Sequence, residues 1–229
     1  EISCSLVGSE MCIRDRLGTT KNFTIGNATF DQATKTVTYD NGHSIYKVGD
    51  TSTDFTWGCY GSKKAVAANM YDSRLYVTGW GGTNWQDNGL VFKIRAESVL
   101  KGNLRFGFGW FGSADENLPK NWKIVWSTDN TTWTGGVKVM SIATSMTSVS
   151  NDDPGAEVFP FATSANGGGY RIAYFNLPES KAVAQGGYLY LKIAQADNEC
   201  QRDGTVDPAK EMIFINGFYL QTHERRAYH

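Results

Sequence analysis

The stretch Trp80-Gly81-Gly82-Thr83-Asn84-Trp85-Gln86-Asp87-Asn88 combines two indoles with a polar fork. A sugar exposes apolar C–H faces beside hydroxyls, so a sugar site needs a flat aromatic platform next to short amide or carboxylate groups. Trp80 and Trp85 supply the rings, and Asn84, Gln86, Asp87 and Asn88 supply the fork. The alternative is a loop whose tryptophans pin it to the edge of the fold. Exposure decides between them: a coplanar, solvent-facing Trp80 and Trp85 favours sugar, and buried rings favour a structural role. Trp57 and Tyr60 would extend such a platform.

A second group is acidic. Asp197, Glu199, Asp203 and Asp207 fall in one loop, and a hard cation such as calcium takes six to eight oxygen ligands. The spacing does not fit the EF-hand rule, so the candidate is a structural calcium set against a solvated loop. Asp152-Asp153 before Pro154-Gly155 reads as a turn. Catalysis has little material. A two-carboxylate glycosidase needs an acid and a base held on rigid strands, whereas Glu97, Glu116, Glu157, Glu179, Glu199 and Glu211 fall mostly in loops or at strand ends. G-x-S-x-G is absent, there are 3 histidines, and no C-x-x-C or H-x-x-x-H spacing offers zinc. Outside the first sixteen residues the cysteines are Cys59 and Cys200, either a long-range disulfide or two separate thiols.

The elements that must position these residues are strands. In residues 121–139, NWKIVWSTDNTTWTGGVKV, Trp122, Ile124 and Trp126 alternate with Lys123, Val125 and Ser127, the period of 2 that sends one set to a core. Ser127-Thr128-Asp129-Asn130 and Gly135-Gly136 supply turns, so the stretch reads as a hairpin, with Trp133 beyond the turn as a further candidate platform. Asp40-Asn41-Gly42 marks another hairpin. Further strands are expected at residues 23–25, 28–30, 35–39, 44–48, 54–61, 65–70, 74–80, 90–94, 104–111, 158–161, 170–175, 187–195 and 211–221, the last with a bulge at Gly217. In residues 187–195, Leu189, Leu191 and Ile193 point inward and Tyr190, Lys192 and Ala194 outward. On residues 104–111, Arg105, Gly107 and Gly109 share one face and leave room for a close neighbour or a ligand. About a dozen short strands without helices between them give an all-β fold, two packed antiparallel sheets.

Composition agrees. Aromatics make up 13% of 229 residues, charged residues only 20%, and there are 25 glycines, which suits short strands and Gly turns. No apolar run is long enough for a membrane span, and a net charge of −1 gives no bulk footprint for nucleic acid or anionic lipid.

Two resemblances add to this. Trp126-Ser127-Thr128-Asp129-Asn130-Thr131-Thr132-Trp133 resembles the Y-S-T-D-G-x-x-W hairpin of exported bacterial β-sandwich modules, including discoidin-like (galactose-binding-like) jelly rolls. With the strands that follow, through the Leu177-Pro178 turn to residue 221, the order is similar to jelly-roll modules of surface and secreted glycan-utilisation proteins of Gram-negative bacteria. That resemblance implies a jelly-roll-like β-sandwich, a polysaccharide or glycan as partner, a structural ion, and an extracellular or cell-surface location. Residues 6–16, LVGSEMCIRDR, resemble the conceptual translation of a transposase-type sequencing adaptor, with residues 1–5 as its flow-cell end and index. Such a segment is set aside in reading the fold. The expected division is therefore 1–16 as an artefact, 17–222 as a single sandwich, and 223–229 as a polar tail. A native start, an export signal or further domains are expected upstream of Leu17.

Taken together, these observations point to a non-catalytic carbohydrate-binding accessory module. A structural or adhesive spacer, and a glycoside hydrolase with unrecognised carboxylates, are the alternatives.

Overall fold

A computed structural model describes residues 28–31, 34, 36–49, 57–60, 74–77, 79–112, 118–142, 155–160, 170–200, 204–206 and 213–222. Residues 1–16 and 223–229, and the strands expected at 23–25 and 65–70, lie outside them. The described chain is an all-β, two-sheet antiparallel sandwich, as the strand periodicity predicts. One sheet has seven strands in the order β1 (Ala28–Asp31), β2 (Thr36–Tyr39), β3 (Ser44–Val48), β6 (Gly89–Arg95), β12 (Tyr188–Gln195), β8 (Asn121–Ser127), β10 (Phe159–Pro160). The other has six, in the order β4 (Trp57–Tyr60), β5 (Arg74–Val77), β13 (Ile213–Thr222), β7 (Gly102–Gly112), β11 (Tyr170–Leu177), β9 (Lys138–Ile142). From β5 onward each successive strand lies in the opposite sheet, the jelly-roll-like pattern. The register of β13 on β7 shifts between Asn216 and Phe218, the bulge expected at Gly217.

Alternation decides which side chains fill the gap between sheets. Leu90, Phe92 and Ile94 of β6, Leu189, Leu191 and Ile193 of β12, and Trp122, Ile124 and Trp126 of β8 face inward and are buried. Leu104, Phe106 and Phe108 of β7 and Phe218 and Leu220 of β13 meet them. Aromatic rings bridge the two layers. Phe92 lies edge-on to Phe106 at 5.1 Å and to Phe218 at 5.3 Å, and Trp126 stacks with Phe175 at 6.3 Å. The glycine-bearing face of β7 also carries Arg105, which is buried along with Gly107 and Gly109.

The β2–β3 hairpin closes as Asp40-Asn41-Gly42 predicts, with Gly42 at φ 93 and its N–H donating to the Tyr39 carbonyl at 3.0 Å. The stretch from 121 to 139 departs from the expected hairpin. Trp126 and Thr134 exchange both backbone hydrogen bonds, at 3.0 and 2.8 Å, but pairing stops after that bridge. Gly136, at φ 77, turns the chain, and β9 joins the opposite sheet. Strand β8 therefore lies between β12 and the edge strand β10 of the seven-stranded sheet, and the segment after it forms a loop rather than a hairpin partner.

Candidate functional site

The outward face of β3, β6, β12 and β8 is built by the same alternation that fills the core. On β12, Tyr188, Tyr190 and Lys192 are half-buried between fully buried inward leucines and isoleucine. Register places Tyr190 between Lys93 of β6 and Ser127 of β8, and Lys192 between Val91 and Val125. Tyr46 of β3 sits opposite Val91, so residues far apart in the chain become neighbours across four strands.

Lysines pack on the rings. Lys93 Nζ lies 4.2 Å from the Tyr188 ring centroid and 6.0 Å from that of Tyr190, and Lys192 Nζ lies 4.1 Å from that of Trp133. The Lys192 stem runs across Gly89: a Cβ there would come within 2.7 Å of its Cδ, so only glycine lets the lysine lie flat. Burial, followed by the charge of Lys123, lowers the Lys192 pKa, and Asp87 opposes the fall.

Trp133 is held by a tightly bonded loop. Asp129 Oδ1 accepts the N–H of Thr131 at 2.8 Å, the N–H of Thr132 at 2.7 Å and the Ser127 hydroxyl at 2.9 Å. These donors, the Thr132 and Thr131 amides foremost, hold its carboxyl well below the usual carboxylate range. Asn130 adopts the left-handed conformation, φ 61, that its side chain tolerates better than most. Its Oδ1 accepts the Tyr46 hydroxyl at 3.2 Å, so the loop reaches from β8 across β12 and β6 to β3.

The residues marked by sequence divide. Asn84, Gln86 and Asp87 are exposed and Trp85 is half-buried, in a 3-10 turn (Trp85–Asp87) that packs on β12. Trp80 corrects the expectation of an exposed pair: it is fully buried, edge-on to Trp122 at 4.9 Å and 85°. Gly79, Gly81 and Gly82 all have positive φ, and the turn they make sends the indole inward beneath the Lys47 ammonium, 5.2 Å from the ring. Asn88 is corrected too. It is buried, its Nδ2 donates to the Gly81 carbonyl at 3.0 Å, and Gln195 Oε1 takes the Gly81 N–H at 2.8 Å. Both residues brace the loop rather than face a ligand. The side chains of Trp57 and Tyr60, the expected extension of the platform, lie outside those described.

The acidic loop spends its carboxylates on the protein. Asp197 Oδ2 accepts Asn121 Nδ2 at 2.8 Å, Asp197 Oδ1 accepts the Glu199 N–H at 3.0 Å, and Glu199 pairs with Lys120 at 2.9 Å. Asp203 and Asp207 lie outside the described residues, and among those described no group of three His, Cys, Asp or Glu could hold a metal ion. The Cys59 side chain also lies outside them, so the pairing of Cys59 with Cys200 stays an expectation. Among the described carboxylates, Glu157 and Glu179 are exposed and pair with Lys138 and Lys101.

The sequence pattern puts Tyr190 and Lys192 outward and offers Trp133 as a candidate platform, and it does not single out Tyr46, Lys93 and Tyr188, which strand register sets on the same face. Outward aromatic positions beside a core alternation were the available signal.

No family model matches the chain, and no curated protein does. Distant likenesses exist among solved structures. The chain is similar to the CBM22-1-GH10 modules of Clostridium thermocellum endo-1,4-beta-D-xylanase 10B complexed with xylohexaose, at 11% identity and TM-score 0.38, over 91% of this chain and 30% of that one. It is similar to TmCBM61 in complex with beta-1,4-galactotriose, at 12% identity and TM-score 0.31, over 77% of this chain and 86% of that one. It is similar as well to a CocE/NonD family hydrolase from Staphylococcus aureus, at 11% identity and TM-score 0.38, over 77% of this chain and 41% of that one. The chain thus spans less than half the length of the xylanase and hydrolase chains, and likeness of this order fixes neither ligand nor activity.

Proposed function

We propose that the protein is a non-catalytic carbohydrate-binding module that holds a glycan on the outward face of its seven-stranded sheet. One observation carries the reading: Tyr46, Tyr188, Tyr190 and Trp133, all half-exposed, stand on the same outward face, set there by strand register, by the Asp129 loop and by the packing of Trp133 on Lys192. Rings on strands give a sugar an apolar platform without the cost of ordering a loop. Asn84, Gln86 and Asp87 stand at the Lys192 end as hydrogen-bonding groups, which keeps four of the six residues singled out by sequence, Trp85 included, beside the site. Location outside a bacterial cell, with other domains of a longer parent protein, belongs to this proposal and rests on the resemblance of residues 126–133.

A spacer without a ligand is the second reading, favoured by the burial of Trp80. Affinity electrophoresis of the full chain through gels containing soluble polysaccharides separates the two. Retardation that Trp133→Ala removes is the expected result. No retardation in any gel, or equal retardation of the variant, would refute binding on this face. Reducing sugar released from a retarding polysaccharide would refute the non-catalytic assignment.

A further inference from the structure

The charge on this face is one-sided. Lys93 and Arg95 of β6, Lys192 of β12 and Lys123 of β8 occupy outward positions on three adjacent strands. The outward positions of β3, β6, β12 and β8 hold no carboxylate at all. Three lysines elsewhere are neutralised: Lys101 by Glu179 at 3.2 Å, Lys120 by Glu199 at 2.9 Å and Lys138 by Glu157 at 3.4 Å. Among the described residues none of the four cations on the face forms an ion pair.

Such crowding opposes folding unless an anion relieves it, and the positions are poor for a merely solvated surface. Lys192 is half-buried, and the carboxylate that acts on it, Asp87, belongs to the exposed turn beside β12 rather than to the face itself. The ammoniums of Lys93 and Lys192 already lie against Tyr188 and Trp133, so their long side chains are ordered before a ligand arrives. A sugar ring laid on these aromatics would carry any acidic substituent directly beside a cation.

We propose that the glycan bound on this face is an acidic one, bearing carboxylate or sulfate groups that meet Lys93, Lys192, Arg95 and Lys123. This rests on the glycan-binding reading of the same face. A nucleic acid fits less well. The four cations run along one diagonal of three strands, with Asp87 and Asp129 in the neighbouring turn and loop, on a chain whose net charge is −1, and so offer a phosphate backbone few contacts.

The test runs the full chain on polygalacturonate and dextran sulfate beside neutral galactan and dextran. Stronger retention on either acidic polymer supports the proposal, and the better of the two assigns the group. Retention should weaken several-fold between about 50 and about 500 mM salt, as screening requires. Lys93→Gln and Lys192→Gln should each weaken acidic binding about two- to fivefold, with the unfolding midpoint no lower than that of the parent. Galactan retention that equals the acidic polymers and ignores both lysines would overturn the acidic class while leaving the glycan reading intact. No retention by any polysaccharide would overturn both. Equal retention on single-stranded DNA that survives Trp133→Ala would show ion exchange alone and also overturn the proposal.

Discussion

Trp80 packs on the inward side of the seven-stranded sheet and Trp133 on its outward side, and substitution separates their roles. Trp80 is fully buried and meets Trp122 edge-on at 4.9 Å. Trp80→Ala removes that ring and leaves a cavity between layers, a loss of about 3–5 kcal/mol. With a urea slope of about 2–3 kcal/mol per molar, the midpoint should fall by ~1.5 M. Trp80→Phe should cost much less, about 1–2 kcal/mol, because the ring contact survives and Trp80 Nε1 has no hydrogen-bond partner among the described residues. Trp122→Phe should cost more than Trp80→Phe, because Trp122 Nε1 donates to the Pro119 carbonyl at 3.0 Å and a buried acceptor would lose its donor, a further penalty of about 1–3 kcal/mol. The Trp80/Trp122 double-mutant cycle should show coupling of about 0.5–1.5 kcal/mol. Trp133→Ala, at a half-exposed ring with one cation–π contact, should stay within about 1 kcal/mol. Urea denaturation followed by circular dichroism reads all five. A Trp80→Ala midpoint within error of the parent, with glycan retention lost, would put Trp80 on the binding face and refute this packing.

The Asp129 loop should respond to pH in one direction only. Its carboxyl is depressed in the fold, so its contribution is complete above the unfolded value of about 3.9 and disappears as pH falls through the lower folded value. Amide resonances of Thr131 and Thr132 should therefore stay protected at neutral and mildly acidic pH and be lost only in strong acid; loss centred near pH 6 would assign the loop's order to another group. Gln195→Leu should destabilise by about 1–3 kcal/mol, since it strips the buried Gly81 N–H of its acceptor at 2.8 Å. An unchanged unfolding midpoint in that variant would show that Gly81 does not depend on it.

Strand existence was legible because burial follows a period of 2. Leu189, Leu191 and Ile193 against Tyr190 and Lys192 can be assigned to faces without any coordinates, and the structure places them so. Direction at glycines was not legible. Whether Trp80 turns in or out depends on the positive φ of Gly79, Gly81 and Gly82, and glycine permits either sign with little preference. The same freedom at Gly136 took β9 to the opposite sheet where a hairpin was expected. Local charge was hidden for a different reason. A chain total of −1 is an average, whereas the order β3, β6, β12, β8 gathers Lys93, Lys123 and Lys192 from three separate stretches. Strand order is a long-range property that the spacing of residues along the chain does not encode.

These two kinds of information meet in β8. Its inward residues Trp122 and Trp126 are buried to 0% and 6% exposure, so the strand cannot slip by one residue without exchanging indoles for Lys123 and Val125. That fixed register sets where Ser127 stands, and Ser127 is where the Asp129 network begins. The network in turn sets Trp133 over Lys192 and ties Asn130 to Tyr46 on β3. A core decision is thereby transmitted through three hydrogen bonds at Asp129 to the outer surface. The stretch from 121 to 134 is scaffold on one side and the proposed binding surface on the other, and the rigidity of the first is what orders the second.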